Sequence, residues 1–130
     1  MSTSTGTLYL EDVLDEFRKY KTMAERAMNQ LDDDAFFATL DDEANSVAIL
    51  VKHMAGNMRS RWRDFLTTDG EKPDRLRDSE FIITEADTRA ALMAQWEAGW
   101  TYLFAALEPL GDDDLLGQVT IRQEPYTVLA

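Results

Sequence analysis

The chain has 130 residues, and 13 lysines and arginines against 25 aspartates and glutamates leave a formal charge of −12. This charge argues against a nucleic-acid-binding surface and against docking on anionic membranes, because both need a basic patch. One histidine and no cysteine exclude disulfides, thiolate zinc sites, a cysteine nucleophile and any site within one chain that needs two imidazoles.

The length and the hydropathy pattern predict one globular domain over residues 1–130. Hydrophobic residues make up 45% of the chain, which is enough apolar surface for a core. No run of 18 apolar residues that would cross a membrane occurs. Residues 1–7 have neither the basic nor the apolar part of a secretory signal, so we expect a disordered tail there and a cytoplasmic protein.

The first periodic segment predicts a helix over about residues 8–31. Its apolar residues recur every three to four positions, as they do on one face of an amphipathic helix. The acidic triplets at 32–34 and 112–114 each precede apolar residues. Neither triplet has the spacing of a calcium-binding loop, so we interpret both as helix caps.

A second periodic segment predicts a helix over about residues 42–67, with a polar row beside its apolar face. His53 and Asn57 lie in the polar row. Gly56 costs about 1 kcal/mol relative to Ala inside a helix, so we expect close helix packing or room for a ligand there. The apolar face consists of Val47, Leu50, Val51, Met54, Met58, Trp62 and Phe65.

A polar loop at 68–80 separates this segment from a third predicted helix, over about residues 85–108. The Thr-Glu-Ala-Asp sequence at 84–87 has the pattern of a helix start. Residues 118–123 alternate apolar and polar and predict a short strand or turn. Residues 124–130, with Pro125 in the first turn, predict the start of a fourth helix.

Nearly the whole of this sequence resembles a known group of proteins. The stretch 45–62, with Val-Lys-His-Met-Ala-Gly-Asn-Met at its centre, and the stretch 64–73 resemble the DinB/YfiT-like superfamily, in particular its uncharacterised bacterial branch. Residues 9–12, 17–21, 96–100 and 119–129 agree with it as well. The resemblance implies an all-α fold, an up-down-down-up four-helix bundle, whose fourth helix is largely missing from this chain.

The resemblance also implies a divalent metal site, usually nickel or zinc, held by three histidines. His53 matches the histidine of the second helix, and the other two come from the fourth helix as a His-x-x-x-His pair. This chain lacks that pair, so we expect it to bind no metal tightly. Two explanations stay open: a fragment of a metal-binding parent, or a natural short form that has lost the site.

Four further residues are candidates for substrate contact: Asn57, Arg59, Arg61 and Trp62. Arginine suits the capture of an anionic group, although arginines at a helix end also stabilise the helix dipole and pair with carboxylates. Tryptophans at helical spacing line a pocket or, more commonly, fill a core.

Two functions are therefore expected. The first is a metal-dependent enzyme, of hydrolase or thiol-dependent transferase type, with an incomplete three-histidine site and no activity as this chain. The alternative is a non-enzymatic helical dimerisation or interaction module, because three amphipathic helices without a fourth leave an apolar groove. In either case we expect a homodimer.

Overall fold

A computed structural model describes residues 3–130, and this part of the chain is mostly helical with one small sheet. Two short 3₁₀ turns, Arg77–Phe81 and Asp112–Asp114, lie on either side of the last helix. No helix among residues 3–130 combines the length and hydrophobicity needed to cross a bilayer. The elements are α1 (Thr5–Met28), α2 (Asp33–Phe37), α3 (Val47–Trp62), α4 (Arg89–Leu107), β1 (Gln118–Ile121) and β2 (Glu124–Thr127).

Side-chain caps set where the helices begin. The Ser4 hydroxyl accepts a hydrogen bond from the Thr7 amide at 3.1 Å, so α1 starts at Thr5 instead of residue 8. Residues 5–7 are therefore helical, while residues 1–2 of the predicted tail lie outside the described residues. Asp32 caps α2 as expected, accepting from the Ala35 amide at 2.8 Å.

The helices α3 and α4 are shorter than the periodicity predicts. Ser46 caps α3 through the Ile49 amide at 3.1 Å, and the acidic cluster before it forms a separate turn. Thr88 caps α4. The predicted start at 84–87 forms a turn instead, because the Asp87 carboxylate accepts the Thr84 amide at 2.9 Å.

The core is centred on α3 and α4, and Met28 of α1 and Phe36 of α2 are buried in the same cluster. Gly99 of α4 allows close packing against Met58 and the Ala55 backbone of α3. Trp96 and Trp100 are buried in this core. Their burial confirms the interpretation of these two tryptophans as core residues.

The prediction that Leu50 and Met54 are core residues is wrong. Their side chains are 47% and 43% exposed. The helix α3 packs on α4 through a neighbouring face that includes Val51, Ala55 and Met58. No element within residues 3–130 covers the face that contains Leu50 and Met54.

Polar contacts attach α1 to α4. The Arg89 guanidinium donates to the carbonyl oxygens of Met28 and Leu31, each at 2.8 Å, at the end of α1. The Trp96 indole donates to Glu25 at 3.1 Å. Burial raises the pKa of Glu25, but its hydrogen bonds, the one with Lys21 foremost, outweigh burial and hold that pKa below its usual value.

The prediction of a fourth helix at 124–130 is wrong, because Glu124–Thr127 pairs antiparallel with β1. Arg122 and Gln123 adopt positive φ angles of 53° and 66°, which reverse the chain in a tight two-residue turn. The Asp69 carboxylate accepts both turn amides at 2.8 Å, so the loop after α3 holds the hairpin in place. The short strand or turn predicted at 118–123 is observed as β1, Gln118–Ile121, followed by the turn at Arg122 and Gln123.

Candidate functional site

His53 lies beside a buried carboxylate. Its Nδ1 is 3.0 Å from Oε1 of Glu80, and the Phe81 ring packs on the imidazole with 5.0 Å between ring centroids. The His53 side chain is 29% exposed, whereas that of Glu80 is only 8% exposed. The 3₁₀ turn that follows the polar loop therefore places a carboxylate on one ring nitrogen and an aromatic ring on one face.

Arg75 holds the Glu80 carboxylate from the other side. Its Nε and Nη2 donate to the two carboxylate oxygens, each at 3.0 Å, in a bidentate pair. The hydrogen bonds to Glu80 raise the pKa of Arg75 above its usual value. A carboxylate only accepts hydrogen bonds, so His53 donates through Nδ1–H. In the neutral imidazole this tautomer leaves the lone pair of Nε2 free.

Gly56 explains how Glu80 fits against α3. A methyl group at position 56 would overlap the Glu80 carboxylate. The expected close packing is observed, but against the Glu80 side chain of the 3₁₀ turn and not against another α-helix. The group that packs there is a side chain of the same chain.

A second ion pair anchors the segment after Glu80. The Lys52 ammonium donates to Oδ2 of Asp87 and to the Ile82 carbonyl, each at 2.8 Å. Burial raises the pKa of Asp87, but the bonds from Lys52 and Thr84 outweigh it and hold this pKa below its usual value. Both ends of the segment 80–87 are thus attached to α3, which limits the motion of Glu80 relative to His53.

The residues described do not complete a metal site. Among residues 3–130, no three histidine, aspartate or glutamate side chains come together as a group that could hold an ion. His53 offers one imidazole nitrogen, and Glu80 is already bonded to Nδ1 and Arg75. His53 is therefore the one side chain of this pair that is available to bind a metal ion.

The other predicted site residues lie in different places. Arg59 is exposed, pairs with Asp74 at 3.3 Å, and lines a cleft of about 600 Å³ between α3, α4 and the 3₁₀ turn. Arg61 and Trp62 line a second cleft, of about 640 Å³, against the hairpin. Asn57 is half-buried, and neither it nor His53 is among the residues that line the two clefts.

Fold and site together define a mostly helical protein with one carboxylate-bound histidine on its central helix. The chain belongs to the family described as "Protein of unknown function (DUF1572)", whose model matches residues 4–130. No curated protein and no solved structure matches the chain.

Proposed function

We propose that the chain is a DinB-like helical domain in which His53 serves as one ligand of a divalent metal, nickel or zinc. In this proposal, α1, α3 and α4 are three helices of an up-down-down-up bundle, and the activity is that of a hydrolase or a thiol-dependent transferase. The hydrogen bond from His53 Nδ1 to Glu80 supports it. Metal-ligating histidines almost always donate their second ring N–H to a carboxylate, a carbonyl or water.

The residues around His53 prepare the imidazole for this role. Glu80 selects the tautomer that leaves Nε2 free, and Phe81 limits rotation of the ring. Arg75 neutralises the buried carboxylate, and its side chain is only 4% exposed. An oriented ligand loses less conformational freedom when it binds an ion.

One ligand gives weak affinity, so residues 1–130 alone are proposed to bind nickel or zinc weakly and to be inactive. Further ligands would come from outside residues 3–130 or from a second copy of the chain. Among residues 3–130, no group of three ligands that could hold the ion occurs.

Paramagnetic Ni²⁺ titrated into the ¹⁵N-labelled chain tests the proposal. We expect amide signals around His53 to broaden selectively and His53→Ala to abolish this effect. The matched variant Glu80→Gln keeps the imidazole, and we expect about a tenfold loss of affinity, the usual order for a lost outer partner. Broadening centred on the acidic triplets, or unchanged in His53→Ala, would overturn the proposal.

An exposed apolar row on α3 favours a second candidate, association with another copy of the chain. Leu50 and Met54, one turn apart, are 47% and 43% exposed, and Phe81 beside His53 is 39% exposed. Neighbouring apolar side chains of this size on a helix are typical of an association surface.

Sedimentation velocity tests this second candidate. We expect a concentration-dependent dimer of the wild-type chain that Leu50→Glu converts to a monomer. Leu40→Glu is the matched control, since Leu40 is 98% exposed in the loop before α3. A monomeric wild type at all concentrations would exclude dimerisation through this face.

A further inference from the structure

The cleft between the end of α3 and the hairpin has mostly apolar walls. Its volume is about 640 Å³. Trp62 and Phe65 form one wall, with 4.9 Å between their ring centroids. Val119, Ile121 and Tyr126 contribute from the hairpin. A cleft of this size and lining suits a small ligand with a flat apolar part.

Gly70 leaves the space that the Arg61 side chain occupies beside this cleft. A Cβ atom at position 70 would lie 2.9 Å from Cδ and 3.0 Å from Nε of Arg61, and 3.0 Å from Ile121. Any side chain at position 70 would therefore displace the arginine. The backbone of the loop after α3 thus holds Arg61 against the hairpin.

Arg61 differs from the arginines beside it in lacking an ion-pair partner among the described residues, 3–130. Arg59 and Arg63 both pair with Asp74, at 3.3 and 2.8 Å. Within residues 3–130 Arg61 forms no ion pair, and its buried Nε has no hydrogen-bond acceptor. A buried cationic donor without an acceptor is unfavourable, and buried polar groups of this kind are normally satisfied by a partner.

The acidic residues nearby leave Arg61 unpaired. Glu124 lines the same cleft but is exposed and forms no ion pair among the described residues. Glu71 lies closer to other arginines, 3.4 Å from Arg75 and 3.8 Å from Arg122. Arg122 also lines the cleft, but its side chain is 58% exposed and its Nε lies near Glu71, so Arg61 is the lining arginine without an ion pair among residues 3–130.

We infer that this cleft binds a small oxyanion, a carboxylate or a phosphate, borne on an aromatic or apolar group. The planar guanidinium of Arg61 binds the oxyanion, and Trp62 and Tyr126 pack on the apolar part. Arginine is the side chain best matched to both oxyanions, because its fork donates two parallel hydrogen bonds. This site is separate from His53, which does not line the cleft.

NMR of the arginine Nε–H and tryptophan indole groups tests the inference, with benzoate and phenyl phosphate as probes. We expect saturable shifts at Arg61 Nε–H and at the Trp62 indole with at least one probe. The probe that binds more tightly identifies the oxyanion class. Benzyl alcohol, which has the ring without the charge, should leave Arg61 Nε–H unshifted.

Two variants give a matched comparison. Arg61→Gln should weaken binding of the better probe by about tenfold or more, the usual loss when a charge-assisted hydrogen bond is removed. Arg77→Gln removes the same charge from an exposed arginine that lies outside the cleft and should leave binding unchanged.

If Arg61→Gln does not fold, the wild-type signals decide alone, since they report contact at Arg61 itself. The inference fails if neither probe shifts Arg61 Nε–H up to its solubility limit. It also fails if Arg77→Gln weakens binding as much as Arg61→Gln, because the effect would then be one of net charge.

Discussion

Gly56 of α3 leaves the space that the Glu80 carboxylate fills. The same carboxylate bonds to His53 at 3.0 Å and to Arg75 at 3.0 Å. A residue that weakens the helix locally thus allows a buried acid to reach the only histidine of the chain. The orientation of His53 and the packing of the 3₁₀ turn consequently depend on the absence of a side chain at position 56.

Gly56→Ala should destabilise the protein although alanine favours helix formation. The added methyl must displace Glu80 from its bonds, and we expect a loss of about 2 kcal/mol in the free energy of unfolding. In a Glu80→Ala background the overlap disappears, so Gly56→Ala should stabilise by up to about 1 kcal/mol. Thermal or urea unfolding of the four chains measures both values. Equal effects of Gly56→Ala in the two backgrounds would show that the two residues do not compete for space.

Arg89→Met should separate α1 from α4. Arg89 donates to two carbonyl oxygens at the end of α1, and its guanidinium lies 4.7 Å from the centroid of the Phe36 ring. We expect a loss of about 2 kcal/mol in urea unfolding. Arg18→Met is the control, because the Arg18 side chain is 51% exposed, and it should cost less than about 1 kcal/mol. Similar losses for both variants would contradict the anchoring role of Arg89.

Gln123→Gly should stabilise the hairpin. Gln123 has a φ angle of 66°, a conformation that glycine adopts without steric cost. We expect a gain of about 0.5 kcal/mol in unfolding free energy. Gln118→Gly makes the same chemical change in β1, where glycine is unfavourable, and should destabilise. A loss of stability on Gln123→Gly would argue against the two-residue turn.

The hairpin should loosen in acid through Asp69. Hydrogen bonds from the amides of Glu71 and then of Gln123 and Arg122 lower the pKa of Asp69 below the usual value of an aspartate. A carboxylate with a depressed folded-state pKa stabilises the protein at pH values above the unfolded-state pKa. This contribution is lost as the pH falls through the folded-state pKa.

Amide NMR follows this transition directly. The amide signals of Arg122 and Gln123 should be constant near neutral pH and should titrate together with a midpoint below 3.8. Asp69→Asn should remove this common transition. A midpoint above 3.8 in the wild-type chain would contradict the bonds from the turn amides to Asp69.

Apolar periodicity located the long helices but not their ends. The sequence predicts a helix start at 84–87, whereas Thr88 caps α4. Hydrogen bonds between Thr84 and Asp87 close a turn at 84–87 instead. Lys52 of α3 binds the same Asp87 carboxylate, a contact that the local sequence does not report. Likewise, Pro125 suits the first turn of a helix as well as an edge strand. The Gln123 amide donates to Asp69, 54 positions earlier. This bond stabilises the turn after which Glu124–Thr127 pairs with β1 as a strand.

The sequence pointed to His53 but not to Glu80. These residues are 27 positions apart. Glu80 lies in a polar segment with several other acidic residues, and the local sequence does not show which of them contacts His53. Gly56 was the one signal in the sequence for this contact, because a glycine inside a helix indicates that another group packs closely against the helix there. The sequence also does not show which arginine near the end of α3 lacks an ion pair. Within residues 3–130, Asp74 binds Arg59 and Arg63 but not Arg61.

The most direct test of the account is the tautomer of the neutral His53 ring, measured by long-range ¹H–¹⁵N NMR. The contact with Glu80 predicts a proton on Nδ1 and a free lone pair on Nε2, the nitrogen proposed to bind metal. Glu80→Ala should shift the ring toward the Nε2–H tautomer that dominates in free histidine. A proton on Nε2 in the wild-type chain would contradict the account, because that nitrogen could not then bind a metal ion.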